Sequence, residues 1–326
     1  MKMKFIQIIL FLCFSVSCTQ TQRDKMNAKK YQKTTPVIGE TSLIVLGTLQ
    51  DGGSPHIGCK KDCCKDLFEH PDSSRKVVCL GLIDPKYGKN FLIEATPDMP
   101  TQMKNLKNHS SFSTKETPDG IFVSHAHIGH YTGLMYLGKE ALNSNNVKVY
   151  ALPRMKQFLE TNGPWSQLVN LKNILIEPLQ PDQVIQLTPN LKITVIIVPH
   201  RDEYSETCGY LIEGPNKKVL FISDIDKWEK WDKNIDEWIK KSDFAFIDGT
   251  FYSGEEINSR NIAEIPHPFI IESMERFKSL SAKDKNKIYF IHFNHTNPVL
   301  KSGSMQLETI LNNGYHIAGF NQIIQL

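Results

Sequence analysis

Short apolar runs that end at a histidine or an aspartate recur along this chain and predict a set of buried β-strands. Residues 121–123 are one such run, and Ser124 separates it from His125. The runs are too short for helices, and this length is typical of strands in a protein interior. Five of them lead into His125, His200, Asp224, Asp248 and His292. Because a rigid strand fixes direction and the following loop leaves room for a substrate, we expect functional groups to gather at these strand ends.

Helical patterns and hairpins alternate with the strands. Residues 153–161 and 228–241 have the apolar spacing of helices. Gly214, Pro215 and Asn216 predict a hairpin turn between two short strands. Uniform strand-helix-strand units would predict one parallel sheet, whereas hairpins among them indicate mixed sheets with helices outside. We therefore predict an α/β fold of the α+β kind, with the folded part beginning at residue 41.

Three histidines occur within six residues directly after the strand predicted at residues 121–123. His125 and His127 point the same way on extended chain, and His130 falls in the first turn of a predicted helix. Neutral imidazole is the commonest protein ligand of a borderline metal. The pattern predicts a metal site; the alternative is a polar loop that is rich in histidine.

The order His-x-His-x-x-His after a strand, followed by Tyr-Thr-Gly-Leu, resembles the signature of the metallo-β-lactamase fold superfamily. The resemblance implies one domain, residues 41–326, built as a four-layer αββα sandwich. It implies six catalytic metal ligands: His125, His127 and His200 for a first ion, Asp224 as a bridging carboxylate, and His130 and His292 for a second ion.

Gly129 departs from that signature, because the superfamily usually has an aspartate directly before the third histidine. That aspartate normally completes the second metal site. We therefore expect the second ion to have only two imidazoles and Asp224, and one or two catalytic ions to be bound. Zinc, iron and manganese all suit imidazole with carboxylate, so the ligand types leave the metal open.

The C-terminal third carries a second resemblance, on residues 246–252, 265–269 and 291–300. These stretches are similar to the family of pyrroloquinoline quinone biosynthesis protein B (PqqB), whereas the histidine motif is closer to the phosphodiesterase branch with PhnP and ribonuclease Z. Asp248 and His267 resemble the acidic residue and the distal histidine of ribonuclease Z. The resemblance implies that they protonate or orient a leaving group. The alternative for Asp248 is that it only accepts hydrogen bonds from a metal-bound histidine.

Three cysteines cluster in a loop rich in glycine and proline after the first predicted strand. Cysteines outside the cytoplasm are expected to form disulfides, but vicinal cysteines are poorly placed to bridge each other, and a tight thiolate cluster suits zinc. Resemblance to PhnP implies a structural zinc held by Cys59, Cys63, Cys64 and His295, with His56 as a substitute ligand. The alternative is a disulfide within the loop and a solvent-exposed His295.

The N-terminus resembles a bacterial lipoprotein signal. Lys2 and Lys4 precede an apolar run, residues 5–14, which is about half the length that a bilayer crossing needs. We expect a signal peptide at residues 1–18, a lipid anchor at Cys18, a flexible tether at residues 19–40, and an exported, membrane-anchored lipoprotein on the periplasmic or cell-surface side. A transmembrane anchor and a plain secretory signal are the alternatives. The net charge of +3 over 326 residues predicts no specific nucleic-acid partner.

A metal held by imidazoles and one carboxylate lowers the pKa of a bound water towards neutrality. The predicted function is therefore a metal-dependent hydrolase that cleaves a phosphodiester, an ester or a lactone in a small-molecule substrate. One alternative is a PqqB-like, iron-dependent oxidative enzyme acting on a tyrosine-derived or peptide substrate. Another is a metal-binding lipoprotein without turnover. Arg201, beside His200, is either a partner for a substrate anion or an exposed surface residue.

Overall fold

Two mixed β-sheets of seven strands each form the interior of the part of the chain that the structure describes. This computed structural model describes residues 38–257 and 265–326. The predicted signal peptide, residues 1–18, and most of the predicted tether, residues 19–40, lie outside the described residues. Along the described ranges, no helix combines the length and the apolar character needed to cross a membrane.

The first sheet joins an antiparallel half to a parallel half. Its strands are β1 (Ser42–Gly47), β2 (Cys79–Asp84), β3 (Lys89–Ile93), β4 (Gly120–Phe122), β5 (Val147–Ala151), β6 (Ile174–Pro178) and β14 (Ile323–Gln325). Their order is β14-β1-β2-β3-β4-β5-β6. Strands β14 to β3 pair antiparallel, and β3 to β6 pair parallel. Strand β4, which leads to His125, is in the parallel half and is buried on both faces, which explains its continuous apolar run.

The second sheet has the same two-part construction. Its strands are β7 (Val184–Thr188), β8 (Leu191–Ile197), β9 (Cys208–Glu213), β10 (Lys218–Ile222), β11 (Phe244–Asp248), β12 (Ile288–Ile291) and β13 (His316–Ile317). Their order is β13-β12-β11-β10-β9-β8-β7, antiparallel from β7 to β10 and parallel from β10 to β13. Strands β8, β10, β11 and β12 therefore all end at one edge of the sheet, which brings the residues that follow them together.

Helices cover the outer faces of the sheets. They are α1 (Met99–His109), α2 (Ile128–Tyr131), α3 (Pro153–Thr161), α4 (Trp165–Asn170), α5 (Ile235–Lys241), α6 (Ile270–Arg276), α7 (Ala282–Lys285) and α8 (Met305–Asn312). Apolar side chains of both sheets, such as Phe122 and Phe246, share one buried cluster. Met155 of α3 packs in a second cluster with the first sheet, and Ile239 of α5 in a third with the second sheet. The predicted four-layer αββα sandwich is confirmed.

The helix predicted at residues 228–241 is interrupted. A 3-10 turn (Trp228–Lys230) is followed by an irregular segment, and α5 begins only at Ile235. Asn234 accepts a hydrogen bond from the Asp236 N–H at 3.0 Å and so caps the new helix. The Trp231 indole donates to the Ile197 carbonyl of β8 at 2.9 Å. This long-range contact holds the segment against the sheet and overrides its helical periodicity.

Hydrogen bonds tie the two sheets together immediately before His125. The Tyr210 hydroxyl of β9 donates to the Val123 carbonyl at 3.0 Å, and the Cys208 N–H donates to the Ser124 carbonyl at 3.2 Å. Tyr210 is fully buried, so the phenol bonds to protein and not to water. The segment that carries His125 is therefore fixed by the second sheet as well as by its own.

We predict that Tyr210→Phe lowers the free energy of unfolding by about 1 kcal/mol, because it removes a buried hydrogen bond and leaves the Val123 carbonyl without that donor. Urea titration followed by circular dichroism measures the change. The matched control is Tyr87→Phe, at a side chain that is 39% exposed, which should change stability by a few tenths of a kcal/mol at most. Equal stability of the two variants would contradict the inter-sheet role.

Candidate metal centre

The predicted ligands of the first ion converge at the edge where both sheets end. His125, His127, His200 and Asp224 offer ligand atoms that all lie within 4.8 Å of one another. His125 and His127 follow β4 of the first sheet, whereas His200 and Asp224 follow β8 and β10 of the second. The group therefore spans the seam between the sheets, and both halves of the fold must be in place to form it.

Asp224 joins this group to the other predicted ligands. Its Oδ1 lies 3.2 Å from His200 Nε2, and its Oδ2 lies 3.4 Å from His125 Nε2. The same Oδ2 is 3.7 Å from His130 Nε2 and 3.9 Å from His292 Nε2. A carboxylate whose two oxygens face imidazoles on several sides has the position that a bridging ligand requires.

A second group contains His130, His292, Asp224 and a residue that the strand-end pattern missed, Asp51. Asp51 Oδ1 lies 3.1 Å from His130 Nε2 and 3.5 Å from His292 Nε2. The structure thus corrects the expectation that Gly129 leaves this group with two imidazoles and Asp224 alone. A carboxylate is present, and it comes from the loop after β1.

Gly129 and Asp51 compete for the same space. A Cβ atom built on Gly129 would lie 2.4 Å from Asp51 Oδ1 and 2.7 Å from Asp51 Cα. A side chain at residue 129 is therefore incompatible with the observed position of Asp51. The sequence signal for Asp51 was weak, because three residues of loop separate it from the end of β1 at Gly47.

The residues predicted as catalytic, Asp248 and His267, form a buried pair beside Asp224. His267 Nδ1 donates to Asp248 Oδ2 at 2.8 Å and lies 3.2 Å from Asp224 Oδ1. Burial lowers the pKa of His267, but the two carboxylates outweigh burial and raise that pKa to about 9. Asp224, Asp248, His267 and His292 make a third group of ligand atoms within 4.8 Å. The structure therefore brings both predicted catalytic residues to the predicted metal ligands.

Thr250, which the sequence reasoning also missed, sets the orientation of His292. Its Oγ1 lies 2.7 Å from Asp248 Oδ1 and 2.9 Å from His292 Nδ1. A carboxylate only accepts, so the hydroxyl donates to Asp248 and accepts from the His292 Nδ1–H. This arrangement leaves the lone pair of His292 Nε2 directed at Asp51 and Asp224.

Glu94 lies behind His130 in the same way. Glu94 Oε1 is 3.3 Å from His130 Nδ1, and Oε2 accepts the Ser124 N–H at 3.2 Å. The backbone φ angles of Glu94 and His292 are 75° and 68°, in the left-handed region that non-glycine residues rarely adopt. Each such residue costs on the order of 1–3 kcal/mol and persists only where the surroundings over-determine it. Strain at these two positions indicates that function, and not local stability, specifies their geometry.

The donor atoms fit divalent metal ions. Buried atoms without a hydrogen-bond partner among the described residues include His125 Nε2, His200 Nε2, His292 Nε2 and Asp224 Oδ1. Such atoms are rare in folded proteins, and buried carboxylates are tolerated when they are paired or bind metal. Six imidazoles with carboxylates form a donor set for zinc, iron or manganese.

The protonation states of His125, His200 and Asp224 also suit metal binding. Burial lowers the pKa of His200 to about 4, and burial together with the nearby His130 holds the pKa of His125 well below its usual value. Burial raises the pKa of Asp224, but the surrounding imidazoles, His200 foremost, outweigh it and hold that pKa well below the ordinary range. Neutral imidazole and ionised carboxylate are the forms that bind metal.

His127 is the member of the first group that meets the surface of the protein. Arg201 Nη2 lies 3.5 Å from His127 Nε2, and Glu203 Oε2 lies 3.1 Å from the same atom. Arg201 and Glu203 also face each other at 3.6 Å, with side chains about half exposed. The rim of the site thus carries one cation and one anion next to a predicted metal ligand.

The predicted structural zinc ligands come together where the loop between β1 and β2 meets the segment after β12. Cys63 Sγ and Cys64 Sγ lie 3.6 and 3.3 Å from His295 Nδ1. Cys59 Sγ is 3.9 Å from Cys63 Sγ, which is 3.8 Å from Cys64 Sγ. A tetrahedral zinc with Zn–S bonds of about 2.3 Å would hold its sulfurs about 3.8 Å apart. The cluster of Cys59, Cys63, Cys64 and His295, here called the cysteine cluster, has the dimensions of a closed zinc site.

The alternative of a disulfide in this loop does not fit the structure. Every described cysteine is free, and His295 is half-buried. Burial lowers the pKa of His295 to about 4, which leaves the ring neutral. His56 is not a substitute ligand here: its ring stacks on the ring of His295 with centroids 4.5 Å apart, and its backbone N–H donates to Cys64 Sγ at 3.3 Å.

Comparison with known proteins agrees with this architecture. The family model described as "Beta-lactamase superfamily domain" matches residues 89–293, more than half of the chain. The "Coenzyme PQQ synthesis protein B" of Klebsiella pneumoniae is 22% identical over 304 residues, which cover 86% of this chain and 97% of that protein.

Solved structures show the same fold. The zinc-bound PqqB of Methylobacterium extorquens superposes with a TM-score of 0.71 at 18% identity, over 87% of this chain and 100% of that one. A diphosphatase of the PhnP family superposes with a TM-score of 0.62 at 20% identity, over 87% of this chain and 96% of that one. The similarity to a PqqB-like metallo-β-lactamase fold inferred from the sequence motifs is confirmed.

We predict that Cys63→Ser removes one zinc equivalent at saturating metal and lowers the melting temperature, because the cysteine cluster joins segments far apart in sequence. Metal analysis by inductively coupled plasma mass spectrometry and thermal melting measure the two effects. Cys208→Ala is the matched control: it removes a buried thiol outside the cluster and should lower stability with no loss of zinc. Unchanged zinc content in Cys63→Ser, or a disulfide detected by thiol counting in denaturant, would refute the zinc cluster.

Proposed function

The chain belongs to the beta-lactamase superfamily, and from that premise we propose that it is a metal-dependent hydrolase of a small-molecule phosphodiester or ester. The proposal rests on the position of Asp224, whose two carboxylate oxygens face imidazoles from both sheets. A site of this kind suits two neighbouring ions with a shared carboxylate. The six sequence-predicted ligands would hold them: His125, His127 and His200 the first, Asp224 both, and His130 and His292 the second.

A bound divalent ion would supply a water acidic enough to act as hydroxide near neutral pH, and would polarise the oxygen of the bond under attack. The protein contributes the positions of the donor atoms. Thr250 and Glu94 face the Nδ1 atoms of His292 and His130, which leaves each Nε2 turned towards the site. Ligands held in one orientation need little reorganisation when the reaction proceeds.

Asp248 and His267 are placed to transfer a proton to a leaving group. His267 Nδ1 donates to Asp248, so the proton that the ring exchanges with a leaving group is the one on Nε2. Asp248 also accepts from the Ile225 N–H at 3.2 Å and from Thr250, which fixes the carboxylate and through it the ring. We assign His267 as the proton donor and Asp248 as the residue that positions it.

Arg201 gives the rim one group that can bind an anionic substrate. The Arg201 guanidinium stands 3.5 Å from His127 Nε2, and its facing partner is the half-exposed Glu203. A phosphoryl group that entered the site would compete with Glu203 for the guanidinium, and arginine binds such groups in bidentate fashion. The PhnP-family neighbour that is named a diphosphatase agrees with a phosphoryl substrate.

A PqqB-like oxidative activity is the second candidate. It is favoured by the full-length similarity to "Coenzyme PQQ synthesis protein B", which covers 97% of that protein. Iron also accepts the histidine and carboxylate donors found here. The two candidates use the same residues and differ in the metal and in the need for oxygen.

We predict that the double variant His125→Ala, His127→Ala loses hydrolysis of bis(p-nitrophenyl) phosphate to background and loses a catalytic ion, because two of the three imidazoles of the first group are gone. The fold should persist, since the sheets have their own apolar core. Near-ultraviolet circular dichroism checks the fold, and the exposed His70→Ala is the control that should retain full activity. Activity at the unmodified level in the double variant would exclude this catalytic centre.

Metal content and oxygen uptake should separate the two candidates. For the hydrolase we expect zinc or manganese in the histidine groups and equal rates of phosphodiester cleavage in air and under nitrogen. The measurement is metal analysis of the purified protein together with an oxygen electrode. If iron is the activating metal and oxygen is consumed in proportion to product, the result would contradict the hydrolase and support the oxidative enzyme.

A further inference from the structure

The loop between β1 and β2 contacts both predicted metal regions. Its first part places Asp51 against His130 and His292, and its second part carries the three cysteines of the cysteine cluster. We propose that Asp51 is a ligand of the second catalytic ion, in place of a carboxylate at residue 129, and that zinc in the cysteine cluster sets the affinity of this ion. The proposal rests on the proposed two-ion site and deepens it.

The geometry points to a ligand and not to a simple ion pair. Asp51 Oδ1 faces two imidazoles, His130 Nε2 at 3.1 Å and His292 Nε2 at 3.5 Å. His292 is fully buried, and its Nε2 has no hydrogen-bond partner among the described residues. Thr250 Oγ1 already accepts a hydrogen bond from the Nδ1–H of His292, so the unpartnered Nε2 carries a lone pair that is available to a metal ion.

Gly129 supports the same assignment. A Cβ at residue 129 would lie 2.4 Å from the Asp51 carboxylate oxygen, so a carboxylate at one position excludes the observed carboxylate at the other. The chain therefore places one carboxylate at this point and not two. The ligand set of Asp51, His130, Asp224 and His292 suits a divalent ion of the zinc, manganese or iron class.

The backbone holds Asp51 beside the segment that carries His292. The Gln50 N–H donates to the Phe293 carbonyl at 2.9 Å, and the Phe293 N–H donates to the Thr48 carbonyl at 2.8 Å. These two backbone hydrogen bonds lie next to Asp51 on one segment and next to His292 on the other. A displacement of either segment would move both ligands.

The cysteine cluster is a second contact between the loop after β1 and the segment after β12. Cys63 and Cys64 approach His295, which is three residues after His292, while Asp51 precedes Cys63 by twelve residues in the loop. A zinc held there would link the loop between β1 and β2 to the segment after β12, the same two segments that supply Asp51 and His292 to the proposed second ion. Because the two ions share these segments, binding of one reduces the ordering cost of binding the other, and the coupling is reciprocal.

The first test uses Asp51→Asn, with Asp72→Asn as the control at an exposed aspartate of the same loop. After equilibration with Zn²⁺ buffered at a low free concentration but present in total excess over the sites, mass spectrometry counts the ions per chain. We expect three in the unmodified protein and in Asp72→Asn, and two in Asp51→Asn, with second-ion affinity weakened at least about tenfold. Retention of three ions with unchanged affinity in Asp51→Asn overturns the assignment.

An exchange of positions makes the test independent of simple charge loss. Gly129→Asp alone should gain no ion and should lower stability, because its Cβ meets Asp51. Combining it with Asp51→Gly restores the charge and removes the contact with Oδ1, but the Cα of residue 51 still lies 2.7 Å from the new Cβ. The second-ion affinity lost in Asp51→Gly should therefore stay lost in the double variant. A Gly129→Asp single variant that binds an additional ion, or a double variant whose second-ion affinity equals that of the unmodified protein, speaks against the relocated ligand.

The coupling is tested by titrating Co²⁺ into the histidine groups of Cys63→Ser and following the visible absorption of the bound ion. We expect the second site of this variant to bind Co²⁺ several-fold more weakly, although all four of its ligands are intact. Identical Co²⁺ affinity with the cysteine zinc absent overturns the coupling. An unmodified protein that holds no ion in the histidine groups refutes the proposed function itself, whereas loss of ions in the His125, His127 double variant but not in Asp51→Asn refutes this inference alone.

Discussion

Burial of negative charge at the seam between the two sheets is the constraint on which the rest of the structure depends. Glu94 and Asp248 are fully buried and Asp224 is 4% exposed, and they lie beside six imidazoles. An isolated buried carboxylate costs more than the whole net stability of a typical domain. The charges are tolerable only because imidazoles, backbone N–H groups and, in our proposal, cations surround them. The surrounding chain therefore has to be rigid enough to keep every donor in place.

That rigidity comes from apolar layers on both sides of each sheet. One cluster lies between the sheets, and two others lie between the sheets and their helices. Strands β10, β11 and β12 are parallel neighbours, so their ends deliver Asp224, Asp248 and His292 side by side. The first sheet contributes His125, and the Tyr210 hydroxyl locks that segment to the second sheet. The metal centre is thus a product of how the two sheets pack.

Residues that touch no predicted ion determine how the ligands are presented. The chain of contacts from Asp248 through Thr250 to His292 directs one nitrogen of the ring inwards, and Glu94 faces the outer nitrogen of His130. The loop between β1 and β2 adds a carboxylate to the same centre and ties itself to the β12 segment through the cysteine cluster. Loss of a supporting contact of this kind typically lowers metal affinity or activity by about 10- to 100-fold.

The sequence by itself determined the strands through local patterns, and the resemblance of its motifs to a known superfamily supplied the sandwich class and most of the donor residues. His125, His200, Asp224 and His292 each lie within two residues of the end of an apolar run, so their place at a strand end could be predicted without knowing the partner strands. The tertiary structure alone placed Asp51 beside His130 and His292. Its contacts with His130 and Gly129 join residues 79 and 78 positions apart, and such distances are set by packing and not by local periodicity. The same reason explains why Glu94 and Thr250 were missed and why Trp231 interrupts a helix that its own sequence favours.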